Sequence, residues 1–296
     1  MIALTKSKGM VSMTNISTMT LGAVTLNVNN IKLQSEFYQK VIGLHIIEES
    51  EKKVSLGIKE TLEELVILEA LDPAKNRERV TGLYHLAILL PTRGALGGVL
   101  RHLIEVRAQL QGASDHGYSE ALYLQDPEGN GIEIYRDKDR SEWDTQENGI
   151  IRGITIEMDI EGVLAAGPVS TPYMPEGTIM GHVHLTGTNF PANEIFYKDL
   201  LGFTLTDDLG GHARFFGMDG YHHQVGVNNW LGNTILHRKN LDLGIKEYQI
   251  NWGTKEIFTA VKDRLEQANY ELDIMNEFEF KTLDPNGIMV HMGLQK

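Results

Sequence analysis

The sequence predicts an α+β fold built from four copies of one βαβββ module, arranged as two tandem related domains. Three observations carry this. First, 21–44 (LGAVTLNVNNIKLQSEFYQKVIGL) lies on 180–203 (MGHVHLTGTNFPANEIFYKDLLGF) without a gap, with Gly22 on Gly181, Val24 on Val183, Leu26 on Leu185 and Gly43 on Gly202. Second, a different segment also occurs twice, closing in a strand, an Asp-Pro-x-Gly turn and another strand at 121–135 (ALYLQDPEGNGIEIY) and 279–292 (EFKTLDPNGIMVHM). Third, each copy opens on apolar alternation and continues with helical periodicity.

The elements follow in order. Module 1 (21–70) opens with a strand at Ala23–Val28, then an amphipathic helix of about ten residues with Phe37-Tyr38 on its buried face and Gly43 as its left-handed stop. Module 2 (81–136) reads as a strand at Tyr84–Leu90, a helix at Leu96–Leu110 and the first strand–turn–strand. Module 3 (180–230) repeats module 1, with its strand at His182–Thr186, Phe196-Tyr197 on the helix and Gly202 as the stop. Module 4 (241–294) has a strand at Lys246–Asn251, a helix at Lys255–Ala268 and the second strand–turn–strand. The stretch between the halves carries Pro168, Pro172 and Pro175 and reads as a connection, giving an N-terminal domain at 1–140, a linker at 141–179 and a C-terminal domain at 180–296.

Composition narrows the function. The 296 residues are 42% hydrophobic, enough for two cores of ordinary size. The formal charge of −13 argues against a nucleic-acid partner. The longest apolar runs, such as Leu86–Leu90, are too short to span a bilayer, and the N-terminal MIALTKSKGMVSMTNISTM reads as a loose lead-in, not a signal peptide. Cysteine is absent, so no disulfide or zinc–thiolate site is available, which fits a cytoplasmic location. A metal site must use His, Asp or Glu. The eleven histidines cluster, His182 with His184 and His222 with His223.

Two motifs carry a family resemblance. One is the closing turn Asp126-Pro127-Glu128-Gly129-Asn130-Gly131-Ile132-Glu133; the other is His182-Val183-His184-Leu185 with Phe196-Tyr197 and Leu201-Gly202-Phe203. Together they resemble the vicinal-oxygen-chelate (glyoxalase/bleomycin resistance/extradiol dioxygenase) superfamily over nearly the whole chain, nearest to its bacterial catechol 2,3-dioxygenase-like branch. The resemblance implies that modules pair into open mixed-sheet barrels, with metal ligands on first and last strands. First strands offer Ala23, His85, His182 and Glu247; last strands offer Glu133 and His291, each seven residues after the Asp of its turn.

Iron(II) in ring-cleaving dioxygenases is held by two His and one carboxylate with open positions left. Pairing of modules 2 and 3 would supply His85, Glu133 and His182, the preferred set; pairing of modules 3 and 4 would supply His182, Glu247 and His291. Tyr123 resembles the substrate-binding Tyr of such enzymes, His116 their loop His, and His223, read in the last strand of module 3, their acid–base His. At the matching places module 4 has Lys281 and no loop His. His184 and His222 are further pocket-lining candidates, although strand alternation allows only one of His222 and His223 to face inward. A packed core His is the plain alternative for each histidine, and Asp126 reads as a turn residue.

The resemblance thus implies an extradiol ring-cleaving dioxygenase using Fe(II), with Mn(II) also accepted by such ligands, O2 as co-substrate and a small aromatic diol as partner. Oligomeric state is left open, homo-oligomers being common in the superfamily. Two alternatives remain: a metal-dependent glyoxalase- or epimerase-type lyase, for which Glu69 is the candidate second carboxylate, and a metal-free small-molecule-binding resistance protein.

Overall fold

The computed structural model describes residues 17–295. The N-terminal lead-in expected over most of the first nineteen residues lies, up to residue 16, outside the described residues. Module 1 comprises β1 (Met19–Val28), α1 (Ile31–Phe37), β2 (His45–Glu49), β3 (Lys53–Gly57) and β4 (Glu64–Ala70). Module 2 comprises β5 (Gly82–Leu90), α2 (Arg93–Glu105), β6 (Leu110–Asp115), β7 (Ser119–Gln125) and β8 (Gly131–Asp137). Short strands β9 (Asp144–Thr145), β10 (Ile151–Arg152) and β11 (Ile156–Glu157) and helix α3 (Ile160–Ala166) follow. Module 3 comprises β12 (Ile179–Thr186), α4 (Phe190–Glu194), β13 (Thr204–Asp208), β14 (Ala213–Gly217) and β15 (Val225–Asn228). Module 4 comprises β16 (Gly244–Trp252), α5 (Lys255–Gln267), β17 (Asp273–Asn276), β18 (Glu279–Leu283) and β19 (Met289–Leu294). The α+β class is therefore as expected.

The modules pair across the two halves of the chain. β1 lies antiparallel to β16, so modules 1 and 4 form an eight-stranded sheet in the order β17-β18-β19-β16-β1-β4-β3-β2. β5 lies antiparallel to β12, so modules 2 and 3 form a nine-stranded sheet in the order β11-β6-β7-β8-β5-β12-β15-β14-β13. Both sheets are open and mixed. Within each module the first and last strands run parallel, joined by the crossover that contains the helix.

Local chemistry explains the elements. The Thr92 hydroxyl caps α2 by accepting from Ala95 N, and Thr254 caps α5 by accepting from Ile257 N. α2 buries Leu96, Val99, Leu100 and Leu103, one helical stripe, in the core that also holds Leu86, Ile88, Ile132 and Ile134. It starts earlier and stops sooner than the sequence suggests, because Arg107 turns to a positive φ of 55° and the chain leaves for β6. The helices of modules 1 and 3 end in wider π turns, Tyr38–Ile42 and Ile195–Leu200. Gly43 (φ 90°) and Gly202 (φ 87°) stop them in the left-handed region, as their place in the repeat predicts.

The Tyr of each Phe-Tyr pair ties its helix to a turn in the next module. Tyr38 Oη donates to Asp126 Oδ2 at 3.2 Å, and Tyr197 Oη to Asp284 Oδ2 at 2.8 Å. Asp126 Oδ1 also accepts from the backbone N–H of Glu128 and Asn130, so it is the turn residue that its motif suggests. The stretch between the halves packs closely: a Cβ on Gly97 of α2 would come within 2.1 Å of Val163 O of α3. No helix among the described residues is long and apolar enough to cross a membrane.

Candidate metal centre and pocket

Strand register builds the site on one face of the nine-stranded sheet. Tyr123 of β7 pairs with Glu133 of β8, Glu133 with Ala87 of β5, and Ala87 with His182 of β12. A row therefore crosses four strands in the order Tyr123, Glu133, Ala87, His182. His85, two residues before Ala87, shares its face, opposite Gly131 on one side and His184 on the other. Alternation sends Leu86, Ile88, Ile132 and Ile134 to the other face and the core.

Three side chains of this row and its neighbour converge. Glu133 Oε2 lies 3.0 Å from His85 Nε2 and 3.3 Å from His182 Nε2, and the two Nε2 atoms are 3.3 Å apart. All three residues are buried. They are the one His/Cys/Asp/Glu group of metal-binding geometry found among the described residues. An ion at about 2.1 Å from each donor would need donor–donor spacings of about 3.0 Å at right angles or about 3.4 Å in a tetrahedron. The observed triangle lies in that range. Two imidazole nitrogens aimed at each other and at one carboxylate oxygen put lone pairs in opposition, which a cation relieves. The residues fit a divalent ion.

Electrostatics point the same way. Burial opposes ionisation of Glu133, but the attraction and hydrogen bonds of the neighbouring His182 and His85 outweigh it and hold the carboxyl well below its usual range. Burial lowers His182 from 6.5 to about 4, despite the attraction of Glu133, so its imidazole is neutral. Burial likewise pushes His184 and His223 well down.

These ligands edge a cavity of ≈ 380 Å³ whose walls include Tyr84, Phe215 and Trp230. Tyr123 and His116 meet there: His116 Nδ1 lies 2.9 Å from Ile154 O and Nε2 lies 2.7 Å from Tyr123 Oη. A carbonyl can only accept, so Nδ1 carries the hydrogen and Tyr123 donates to Nε2. Burial and the Glu133 carboxylate keep the Tyr123 hydroxyl protonated. His184 lines the cavity beside His85, in edge contact with Tyr84 at 5.2 Å.

Two expectations need correction. His223 is not within the last strand of module 3, because β15 begins at Val225; His222 and His223 sit in the bend before it, where strict alternation does not apply. Their rings meet, Nδ1 to Nδ1 at 2.9 Å, with His223 on the cavity wall and His222 turned towards Asp137. The alternative set His182, Glu247 and His291 is not assembled, because modules 3 and 4 belong to different sheets. Glu247 instead pairs with Lys281 at 2.7 Å, and Lys281 and His291 are register partners on β18 and β19. Glu69 pairs with Lys246 at 2.6 Å in that same sheet.

Sequence reasoning missed Ala87, Asp137 and the aromatic walls. Ala87 had a signal, a small residue two places after His85 among large aliphatics. Asp137 and Trp230 had none, since contacts between modules bring them to the site.

Comparisons with known proteins agree with this architecture. The model of the Glyoxalase/Bleomycin resistance protein/Dioxygenase superfamily matches residues 20–134. The chain is 36% identical over 268 residues to a Bacillus subtilis (strain 168) protein named catechol-2,3-dioxygenase, covering 90% of this chain and 93% of that one. Glyoxalase I from Zea mays shares the fold at a TM-score of 0.56 and 13% identity, over 93% of this chain and 92% of the other. So does the cppA protein of Streptococcus pneumoniae TIGR4, at 0.56 and 15%, over 93% and 100%. The repeat, the two sheets and these similarities agree: the chain belongs to the glyoxalase/bleomycin resistance protein/dioxygenase superfamily.

Proposed function

We propose that this protein is an extradiol dioxygenase that opens a catechol-type ring with O2 at a ferrous ion held by His85, Glu133 and His182. The observation that carries the reading is the convergence of these three buried side chains on one point at the wall of a ≈ 380 Å³ cavity. The 36% identity to a protein named catechol-2,3-dioxygenase supports the same class. Manganese(II) suits the same donors.

When bound, the ion supplies chelation of the two ring oxygens and an electron path between ring and O2. The protein's own groups do the rest. Tyr84, Phe215 and Trp230 give the ring apolar walls. Tyr123 Oη, donating to His116, has lone pairs left to accept from a substrate hydroxyl and hold it in register. His223, neutral and on the wall, takes a proton from substrate and returns it later. No Lys or Arg is found among the residues lining this cavity, whereas Asp207 is, so an uncharged diol suits it better than a carboxylated one.

The test is catechol-dependent oxygen uptake with metal analysis on wild type, His85→Ala and His291→Ala after anaerobic loading with Fe(II). Wild type and His291→Ala are expected to bind the ion and consume oxygen, and His85→Ala to do neither. Wild type that binds iron yet consumes no oxygen with any catechol would overturn the reading.

A further inference from the structure

Behind His223 the fold holds a buried histidine and a carboxylate that the proposed reaction does not use. His222 Nδ1 lies 2.9 Å from His223 Nδ1, and His222 Nε2 lies 3.0 Å from Asp137 Oδ1. The His222 ring is 2% exposed and held between Tyr118, stacked at 4.2 Å and 12°, and Tyr221, at 4.1 Å and 32°. Asp137 closes β8, four residues after Glu133 on the same face, so one strand carries both the ligand carboxylate and this one.

Two assignments satisfy these contacts, and they differ in whether His222 carries one hydrogen or two. An ionised carboxylate only accepts, so His222 Nε2 carries a hydrogen. With one hydrogen, His222 has its lone pair on Nδ1 and accepts from His223 Nδ1–H; with two, it would donate to His223 Nδ1 and place the His223 hydrogen on Nε2. With one hydrogen on His222, His223 is left with its lone pair on Nε2. His223 lines the cavity, its ring 4.4 Å from that of His182 and 4.8 Å from that of Phe215.

We infer that Asp137 and His222 are positioning residues that hold His223 as the Nδ1–H tautomer with Nε2 free for substrate. The inference rests on the reading of His223 as the proton-transferring residue. When Nε2 takes a proton from a bound hydroxyl, the imidazolium formed donates through Nδ1 to His222, which donates to Asp137. The negative end of this chain stabilises the new charge without any proton leaving it. The arrangement also spans the joint between modules 2 and 3, so the His that moves protons is set in register with the strand that holds the ion.

Ring-nitrogen NMR of histidine-labelled full-length protein, metal-free and zinc-loaded, tests the tautomer without any turnover. In wild type, His223 is expected to carry hydrogen on Nδ1 and not on Nε2. In Asp137→Asn the amide N–H donates to His222 Nε2, so both rings are expected to switch and His223 Nε2 becomes protonated. In the iron-loaded variant kcat for oxygen uptake should fall about 10²-fold, with KM and bound iron close to wild type. A wild-type His223 protonated on Nε2, an unchanged kcat, or a loss of iron that accounts for the lost rate would overturn the inference. If Asp137→Asn does not fold, the wild-type tautomer decides alone. A wild type that consumes no oxygen would remove the dioxygenase reading while leaving the tautomer to be judged by NMR.

Discussion

Ala87, fully buried, stands between Glu133 and His182 in the register row. A larger side chain there would press on the neighbouring Glu133 and His182 strands. Ala87→Leu is expected to abolish metal binding in equilibrium dialysis and to cost about 1–3 kcal/mol of stability through overpacking. Retained metal would show that the site does not depend on this small residue. Proton linkage gives a second test at this scale. Above pH 6.5 His182 is neutral both folded and unfolded and adds no pH dependence. As pH falls below 6.5 the unfolded chain takes a proton that the folded, metal-free protein refuses until about pH 4, so stability drops across that window by up to about 3 kcal/mol. Urea midpoints of metal-free protein should fall from pH 7 to pH 4.5, and fall less in His182→Phe. His85, Glu133 and His182 were legible because each stands at a fixed offset in a repeated motif. Asp137 was not, because its partner His222 is reached only when β8 and the bend before β15 are folded side by side.

At the scale of elements, glycines mark where backbones touch. A Cβ on Gly131 of β8 would lie 2.0 Å from Tyr84 O of β5, the strand that carries His85. Gly131→Ala should therefore push β8 away from β5, separate Glu133 from His85 and lower both melting temperature and metal content. Gly97→Ala, aimed at Val163 O of α3, should cost about 1–3 kcal/mol in denaturant unfolding and leave metal content unchanged, because α2 covers the face opposite the site. If both variants lose metal equally, the two faces are not independent. Strands and helices were legible where period and caps agreed, as in α5, where only the last residue differs from the Lys255–Ala268 expected. The π turns and α3 were not. A π turn uses the same residues as an α turn with one more in the loop, and α3 has only seven residues, too few for its periodicity to stand out.

At the scale of the whole molecule, strand pairing makes the two halves interdependent. Either half alone would leave β1 or β16, and β5 or β12, with an unpaired inner edge. The protein should accordingly unfold in one cooperative transition, with fluorescence and far-ultraviolet circular dichroism coinciding; two resolved transitions would contradict the pairing. Four modules could be counted from the repeat, but which edges join could not, because each first strand offers an equivalent edge. What favoured modules 2 and 3 beforehand was the full ligand set on their strands.

The duplicated plan suggests two ions per chain, yet the sister sheet furnishes its own cation. At the places matching His182, Tyr123 and His85 it has Ala23, Lys281 and Glu247, and the Lys281 ammonium sits 2.7 Å from the Glu247 carboxylate. An amine tethered by its own backbone disfavours a dissolved cation at that carboxylate, since it is always at hand. Saturation should therefore be reached at a single equivalent of metal.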